Sequence, residues 1–214
     1  MTSSTPGASG VTDVYFDFLC PFAWRGLELA DVLRRESGLG FRLRHFSLVQ
    51  GNHPENPDRK TPTWWLHEQA AGEGNAAQQG SLRAFLAAAA ATRQGEEAAW
   101  QFTLALLRAR HGRKAELDGS TVHAAAQEAG LDVEQFGRDL ADEDAAREAL
   151  GEDLRAAAQL GVFGTPTFVL PGGQAAYLRF SRLVREVAEA EKLWNLYGEV
   201  LHSGAGIETI KRPR

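Results

Sequence analysis

The chain has 214 residues, enough for one domain carrying a large insertion. Hydrophobic residues make up 43% and charged residues 24%, which excludes a disordered or fibrous chain. With 23 Lys and Arg against 28 Asp and Glu, the net charge of −5 lacks the basic footprint of a general nucleic-acid binder, and a single cysteine excludes any intrachain disulfide.

The first ten residues (MTSSTPGASG) read as a disordered lead-in, without the basic and apolar stretches of a secretory signal. Residues 11–19 (VTDVYFDFL) are nearly continuously apolar, the pattern of a strand buried on both faces. Cys20 and Pro21 follow, and a helical pattern begins. Phe22, Gly26, Leu27, Ala30 and Leu33 share one face, with Asp31, Arg34 and Arg35 off it, up to a stop at Ser37-Gly38. Residues 41–49 (FRLRHFSLV) are a second strand. So compact a strand–helix–strand unit implies a parallel pair.

Residues 50–62 form a loop by composition. No proline occurs from Thr63 to Thr165, and that stretch is rich in helix formers. Helices are expected near 64–71, 81–92, 96–110, 120–129, 133–140 and 143–160, with Asp132 and Gln135 as a capping pair for the fifth. The Ala run at 87–91 points to close helix packing. Residues 167–170 (TFVL), a Pro-Gly-Gly turn and residues 175–180 form a hairpin. A helix at 183–201 and a basic end (KRPR) close the chain. The order, βαβ then helices then ββα, is that of an α/β protein with a thioredoxin-like core (11–62 and 161–214) and an all-helical insertion (63–160).

Cys20 stands at a strand-to-helix junction before a helix-opening proline. The free N–H groups and positive dipole end of that helix favour an anion, so a thiolate there is reactive at neutral pH. The plainer alternative is an inert buried cysteine. A two-thiol C-x-x-C centre needs a cysteine where Ala23 stands, so only one-thiol chemistry remains. Cys20 could form a mixed disulfide resolved by an external thiol, attack an electrophile, or position a thiol cofactor. Pro166, in Gly164-Thr165-Pro166-Thr167, opens a strand, where its missing donor is tolerated. Beside a reactive cysteine after the first strand, a cis bond is favoured over an ordinary trans turn.

These two segments, VYFDFLCPFAWR (14–25) and GVFGTPTFVL (161–170), resemble the DsbA-like thioredoxin family. The closest flavour is the branch with FrnE-like proteins, 2-hydroxychromene-2-carboxylate isomerases and kappa-class glutathione transferases. The resemblance runs from about residue 11 to 201. It implies that Cys20 faces a cis-Pro166, that Thr165 offers its backbone to a thiol ligand or peptide, that Pro21, Phe22 and Ala23 tune the thiol, and that Trp24 borders the site or packs beneath it. The loop at 50–54 lies where the kappa branch holds part of glutathione, which makes Asn52 a ligand candidate. Ala23 departs from the oxidoreductases, and Cys20 from the serine usual in the isomerase and kappa branches.

Asp17, three residues before Cys20, is either a proton relay or a carboxylate paired with an arginine or solvent. His45 reads as a satisfied sheet histidine, and His53 and His67, near Trp64 and Trp65, as mobile surface residues or else pocket residues. No histidine pair has metal-ligand spacing, so no metal is expected. Trp64, Trp65, Trp100 and Phe102 are core, or else line a substrate pocket.

The expectation is a cytoplasmic thiol-dependent oxidoreductase with Cys20 as nucleophile and a low-molecular-weight thiol, glutathione or an equivalent, as co-substrate rather than a tightly held cofactor. Its substrate is a small molecule or a protein thiol, with no nucleic-acid or membrane partner. Family analogy adds a homodimer. The alternatives are a thiol-cofactor-dependent isomerase or transferase, and a non-catalytic binding protein on the same scaffold.

Overall fold

Val14 and Phe16 lie on one face of strand β1 (Val11–Phe16) and Tyr15 on the other, and all three are buried, as a two-sided central strand requires. The molecule is a computed structural model describing residues 10–58 and 60–202. The basic end and nearly all of the lead-in lie outside the described residues. β1 is three residues shorter than the apolar run, because Asp17 leaves the ladder to bind the backbone N–H groups of Leu19, two residues on, and of the distant Leu48.

β1 pairs in parallel with β2 (Gly40–His45) through helix α1 (Pro21–Glu36), from Val11↔Gly40 to Phe16↔His45. The helix ends at Ser37, and Gly38 follows at φ +67°, a left-handed turn that suits a residue without Cβ. Asp31, expected off the apolar face, is buried and bonded to Arg34 and Arg35, since α1 is packed against a further helix as well as the sheet. The expected second strand stops at His45. Leu48–Gly51 forms a one-turn helix, α2, whose Ser47 cap accepts the Gln50 N–H at 3.1 Å. That local cap wins over the strand pattern.

Five helices follow before the sheet resumes: α3 (Ala76–Thr92), α4 (Glu96–Leu107), α5 (Gly119–Glu128), α6 (Val133–Ala141) and α7 (Glu143–Leu160). α3 starts at residue 76 rather than 81 because Asn75 and Gln78 form a reciprocal capping box. Asp132 caps α6 through the N–H groups of Glu134 and Gln135. α4 runs on into a π turn at Arg108–Gly112. The helix expected at 64–71 is only a 3-10 turn, Leu66–Glu68. Asn56 Oδ1 accepts the Thr63 and Trp64 N–H groups at 2.8 Å each and Gln50 Oε1 accepts that of Leu66 at 3.0 Å, which holds the chain extended through Trp65.

β3 (Thr167–Val169) returns antiparallel to β1, and β4 (Ala175–Tyr177) antiparallel to β3, so the sheet order is β2-β1-β3-β4. The hairpin is present, with its second strand three residues shorter than expected. The last helix, α8 (Val187–His202), begins four residues later than expected. Its buried Tyr197 hydroxyl donates to Phe168 O at 2.7 Å and accepts the Ala176 N–H at 3.1 Å, joining β3 to β4.

α1 and α8 cover one face of the sheet, where Phe41, Phe168 and Trp194 meet edge to face. α7 covers the other, against Tyr15, Phe46 and Val162. The α/β arrangement, a thioredoxin-like core with helices inserted between its two halves, is the one expected.

Candidate functional site

Cys20 is placed by the turn that ends β1. Its N–H donates to Asp17 O at 3.1 Å, and its extended backbone (φ −96°, ψ 114°) makes it the N-cap of α1 with Pro21 in the first turn. No side chain caps this helix, so its first-turn N–H groups stay available beside the sulfur. Cys20 is 6% exposed, and its Sγ–H donates to Thr165 O at 3.3 Å, across 145 residues of chain.

The Thr165–Pro166 peptide bond is cis. Pro166 rests on the second turn of α1, so closely that a Cβ on Gly26 would lie 2.5 Å from its Cγ. The two segments singled out in the sequence therefore meet: the helix start supplies the sulfur, and the strand opening supplies a carbonyl that touches it. Thr165 is buried and its Oγ1 has no partner, while Thr167 Oγ1 closes the preceding loop onto Gly164 O at 2.8 Å. Ala23 is 0% exposed, so the place of the second C-x-x-C sulfur is filled by a packed methyl.

Trp24 lies one turn after Cys20. Its Nε1 donates to Glu28 Oε1 at 2.9 Å, and the same carboxylate takes a bidentate fork from Arg108 at 2.7 and 2.9 Å. Burial alone would raise the Glu28 pKa, but the Arg108 and Trp24 contacts outweigh it and hold the carboxyl below its ordinary value. On its face Trp24 stacks with His111, ring centroids 6.1 Å apart, and His111 Nε2 donates to Phe18 O at 2.9 Å. Burial pushes the His111 pKa down against the pull of that carbonyl, which favours the neutral ring. Glu28, Arg108 and His111 were not singled out from the sequence. Their partners lie 80 and 93 residues away, and the π turn that presents two of them leaves no local pattern.

Phe22 is half-buried, with the guanidinium carbons of Arg25 and Arg179 5.4 and 4.6 Å from its ring centroid. Asp17 is fully buried and pairs with neither arginine nor solvent. Its two oxygens accept the N–H groups of Leu19 and Leu48, each at 2.6 Å. Burial raises its pKa to about 6, with those bonds and His45 opposing. The carboxylate thus ties the turn before Cys20 to the start of α2. Asn52 ends α2, its Nδ2 donating to Leu48 O at 2.8 Å.

His45 is satisfied by Asp153 at 2.8 Å and flanked by Phe16 and Phe85. His53 stacks on Trp64 at 4.0 Å. His67, expected to be mobile surface, has its ring packed against Gly151 of α7 and only 10% of its side chain exposed, and His53 too is held by its ring contact. Trp100 and Phe102 are core, and Trp64 and Trp65 are half-buried against it. A cleft of about 420 Å³ in the helical block, floored by Leu82, Leu86, Val122 and Phe136, borders none of these four aromatic residues and not Cys20. Among the described residues no cluster of three or more His, Cys, Asp or Glu could hold a metal ion, and no helix is long and apolar enough to cross a membrane.

The family model of the DSBA-like thioredoxin domain matches residues 11–188. Solved structures of similar fold include the cytosolic disulfide reductase DsbM from Pseudomonas aeruginosa with glutathione, 17% identical, with a TM-score of 0.58 over 89% of this chain and 100% of that one. A 2-hydroxychromene-2-carboxylate isomerase is 20% identical, with a TM-score of 0.58 over 94% and 100%. The thiol-disulfide exchange protein α-DsbA2 from Wolbachia pipientis is 18% identical, with a TM-score of 0.57 over 89% and 85%. No protein of curated function matches the sequence.

Proposed function

Because the chain belongs to the DSBA-like thioredoxin domain family, we propose that it is a one-thiol member acting through a mixed disulfide at Cys20 that an external small thiol resolves. The observation that carries this reading is the contact of Cys20 Sγ with Thr165 O at the uncapped start of α1, in a chain with no other cysteine. In the first step the Cys20 thiolate attacks one sulfur of a disulfide R–S–S–R′. The old S–S bond breaks, R′S⁻ leaves and takes up a proton, and Cys20–S–S–R forms. In the second step an external thiolate G–S⁻ attacks the R-borne sulfur of Cys20–S–S–R, whose S–S bond breaks to release R–S–S–G and the Cys20 thiolate. Each step conserves the number of disulfides.

The helix start stabilises the Cys20 thiolate both as nucleophile and as leaving group. Pro21 gives up no donor there, and the packed methyl of Ala23 removes the internal competitor for the mixed disulfide. Thr165 and Pro166 align the incoming sulfur, and Phe22 and Trp24 flank it. Asp17 acts from behind, by fixing the turn. Asn52, at the end of α2, remains a candidate for holding the small thiol. The likeness to a reductase solved with glutathione supports a glutathione-type thiol and a cytosolic setting.

The test is intact mass after incubation with glutathione disulfide, followed by reduced glutathione. The wild type forms an adduct that the thiol removes, and Cys20→Ser forms none. A wild-type chain that stays unmodified at neutral pH overturns the reading. A second reading rests on the low exposure of Cys20 and the free first-turn donors of α1: the chain binds a thiol cofactor at the helix start, for isomerisation or transfer, and Cys20 orients it. Substrate turnover or cofactor binding retained in Cys20→Ser favours that reading. The absence of adduct, turnover and thiol binding together leaves a non-catalytic binding protein.

A further inference from the structure

Two cations meet at the Phe22 ring of the candidate site, and among the described residues no carboxylate pairs with either. Arg25 leaves α1 one turn beyond Phe22, and its Nη1 donates to Phe180 O at 3.0 Å. Arg179 comes from beyond β4. The register Thr167↔Tyr177 continues one step through the Leu178 N–H to Pro166 O bond of 3.2 Å, so Arg179 follows directly on the residue bonded to Pro166, whose neighbour Thr165 carries the carbonyl that touches Cys20 Sγ. Arg179 Nε donates to the Tyr177 hydroxyl, and its guanidinium covers both the Tyr177 and the Phe22 rings.

The partners of both arginines are neutral: a carbonyl, a phenol and aromatic faces. Elsewhere the arginines of this acidic chain are mostly spent on carboxylates, as Arg34, Arg42, Arg44, Arg93, Arg108 and Arg147 show. Like charges drawn to one ring repel each other, and an anion between them removes that repulsion. Beside them, Phe163 is an exposed aromatic ring packed on the Tyr177 edge, and the buried Thr165 Oγ1 has no partner. The surface about Phe22, two residues from the sulfur, is thus aromatic and carries two guanidiniums whose partners among the described residues are neutral, which suits a planar carboxylate more than a neutral or cationic group.

We infer that Arg25 and Arg179, carried on Phe22 and Tyr177, form a carboxylate-binding subsite that selects anionic, preferably aromatic, disulfides or thiols for Cys20. This rests on the proposed thiol function of Cys20 and specifies its substrate class. Arg25 and Arg179 bind the carboxylate, and neither takes part in the sulfur exchange.

The experiment compares two aryl disulfides as probes, the dianionic 5,5′-dithiobis(2-nitrobenzoate) and the neutral 4,4′-dithiodipyridine. Each is followed by the aryl thiolate released as its S–S bond breaks and the Cys20 mixed disulfide forms. In Arg25→Gln/Arg179→Gln the rate constant for the anionic probe falls roughly tenfold, the size of two partly exposed charge contacts, while that for the neutral probe stays within about twofold. Added salt erodes the wild-type preference, and Arg182→Gln, which removes an exposed arginine already paired with Glu189, changes neither rate. Equal losses with both probes, or an undiminished anionic rate, overturn the subsite while leaving the thiol reading intact. If Cys20 is inert to both disulfides, the thiol reading falls and calorimetric binding of the 5-thio-2-nitrobenzoate anion to Cys20→Ala decides the subsite. Binding that the two arginine substitutions abolish upholds it, and binding that is absent or indifferent to them overturns it.

Discussion

Gly26 and Pro166 occupy space that admits no further carbon: a Cβ on Gly26 would lie 2.5 Å from Pro166 Cγ and 2.9 Å from its Cβ. In an open helix interior, Gly→Ala is stabilising by about 1 kcal/mol. Here the sign reverses, because the obstacle is a ring atom of a proline rather than the tip of a flexible chain. Gly26→Ala is expected to destabilise the protein by about 1–3 kcal/mol in urea unfolding, and to slow adduct formation at Cys20 by moving α1 away from Thr165. A variant as stable as the wild type, with unchanged Cys20 chemistry, would show that the proline loop yields freely.

Asp17 predicts an unusual pH dependence. Its pKa rises from 3.8 in the unfolded chain to about 6 in the folded one, chiefly through burial. The folded state therefore holds a proton that the unfolded state has lost across that window. The contribution of Asp17 is fully present below pH 3.8 and is lost as the pH rises through 6, a swing of about 3 kcal/mol. Asp17→Asn removes this titration. It also leaves either the Leu19 or the Leu48 N–H facing an amide donor, a cost that does not vary with pH. The stability of the wild type relative to the variant should fall between pH 4 and 7 in paired urea titrations, and a difference independent of pH contradicts the assignment.

Ala23→Cys restores a second sulfur three residues after the first. Residues so placed at a helix start fall in the Cα range of about 4.4–6.8 Å that a disulfide spans. Because the Ala23 methyl is fully enclosed, the larger sulfur costs about 1 kcal/mol or more in the reduced form. After glutathione disulfide the wild type should retain one glutathione, whereas the variant should end as an internal disulfide with none. A glutathione adduct that persists in Ala23→Cys would mean that the buried sulfur cannot reach Cys20.

Glu28 serves three donors, one from Trp24 and two from Arg108. Glu28→Gln keeps the shape and leaves one acceptor oxygen. The Arg108 side chain is 38% exposed, so solvent screens part of the loss, and about 1–2 kcal/mol of destabilisation is expected. The Trp24 indole N–H resonance should shift in the same variant. An unmoved resonance would show that Trp24 is held by its stack with His111 alone.

What could be read in the sequence was what neighbouring residues decide. The junction of apolar strand, Cys20 and Pro21, the Gly-Thr-Pro-Thr strand opening and the bounds of α7 all rest on contacts a few residues long, and the two motifs together indicated the core and, through the family resemblance, a cis-Pro166 facing Cys20; the contact of Cys20 with Thr165 O was not foreseen. Where long-range acceptors intervene, the local pattern misled. Asn56 and Gln50 hold residues 63–65 extended where helix was expected from residue 64, and Asp17 shortens β1 by binding the N–H groups of Leu19 and the distant Leu48. Glu28 carried no signal because Arg108 reaches it from 80 residues away, and His111 had no visible role without Phe18 and Trp24 beside it. Arg25 and Arg179 were unremarked because their common partner is a ring, and nothing in the spacing of 154 residues draws them together.

The Tyr197 hydroxyl gives the end of the chain a hold on the thiol. β3 and β4 are three residues each, too short to persist as a free hairpin, and Tyr197 clamps both at the Phe168–Ala176 pair. Thr165 and Pro166 are the root of that hairpin. Truncation, fusion or a partner that lifts α8 would therefore loosen the backbone carbonyl against which Cys20 rests, and so act on sulfur reactivity from the opposite end of the sequence. The last helix is a lever on the site, and Tyr197→Phe is the smallest cut that disconnects it.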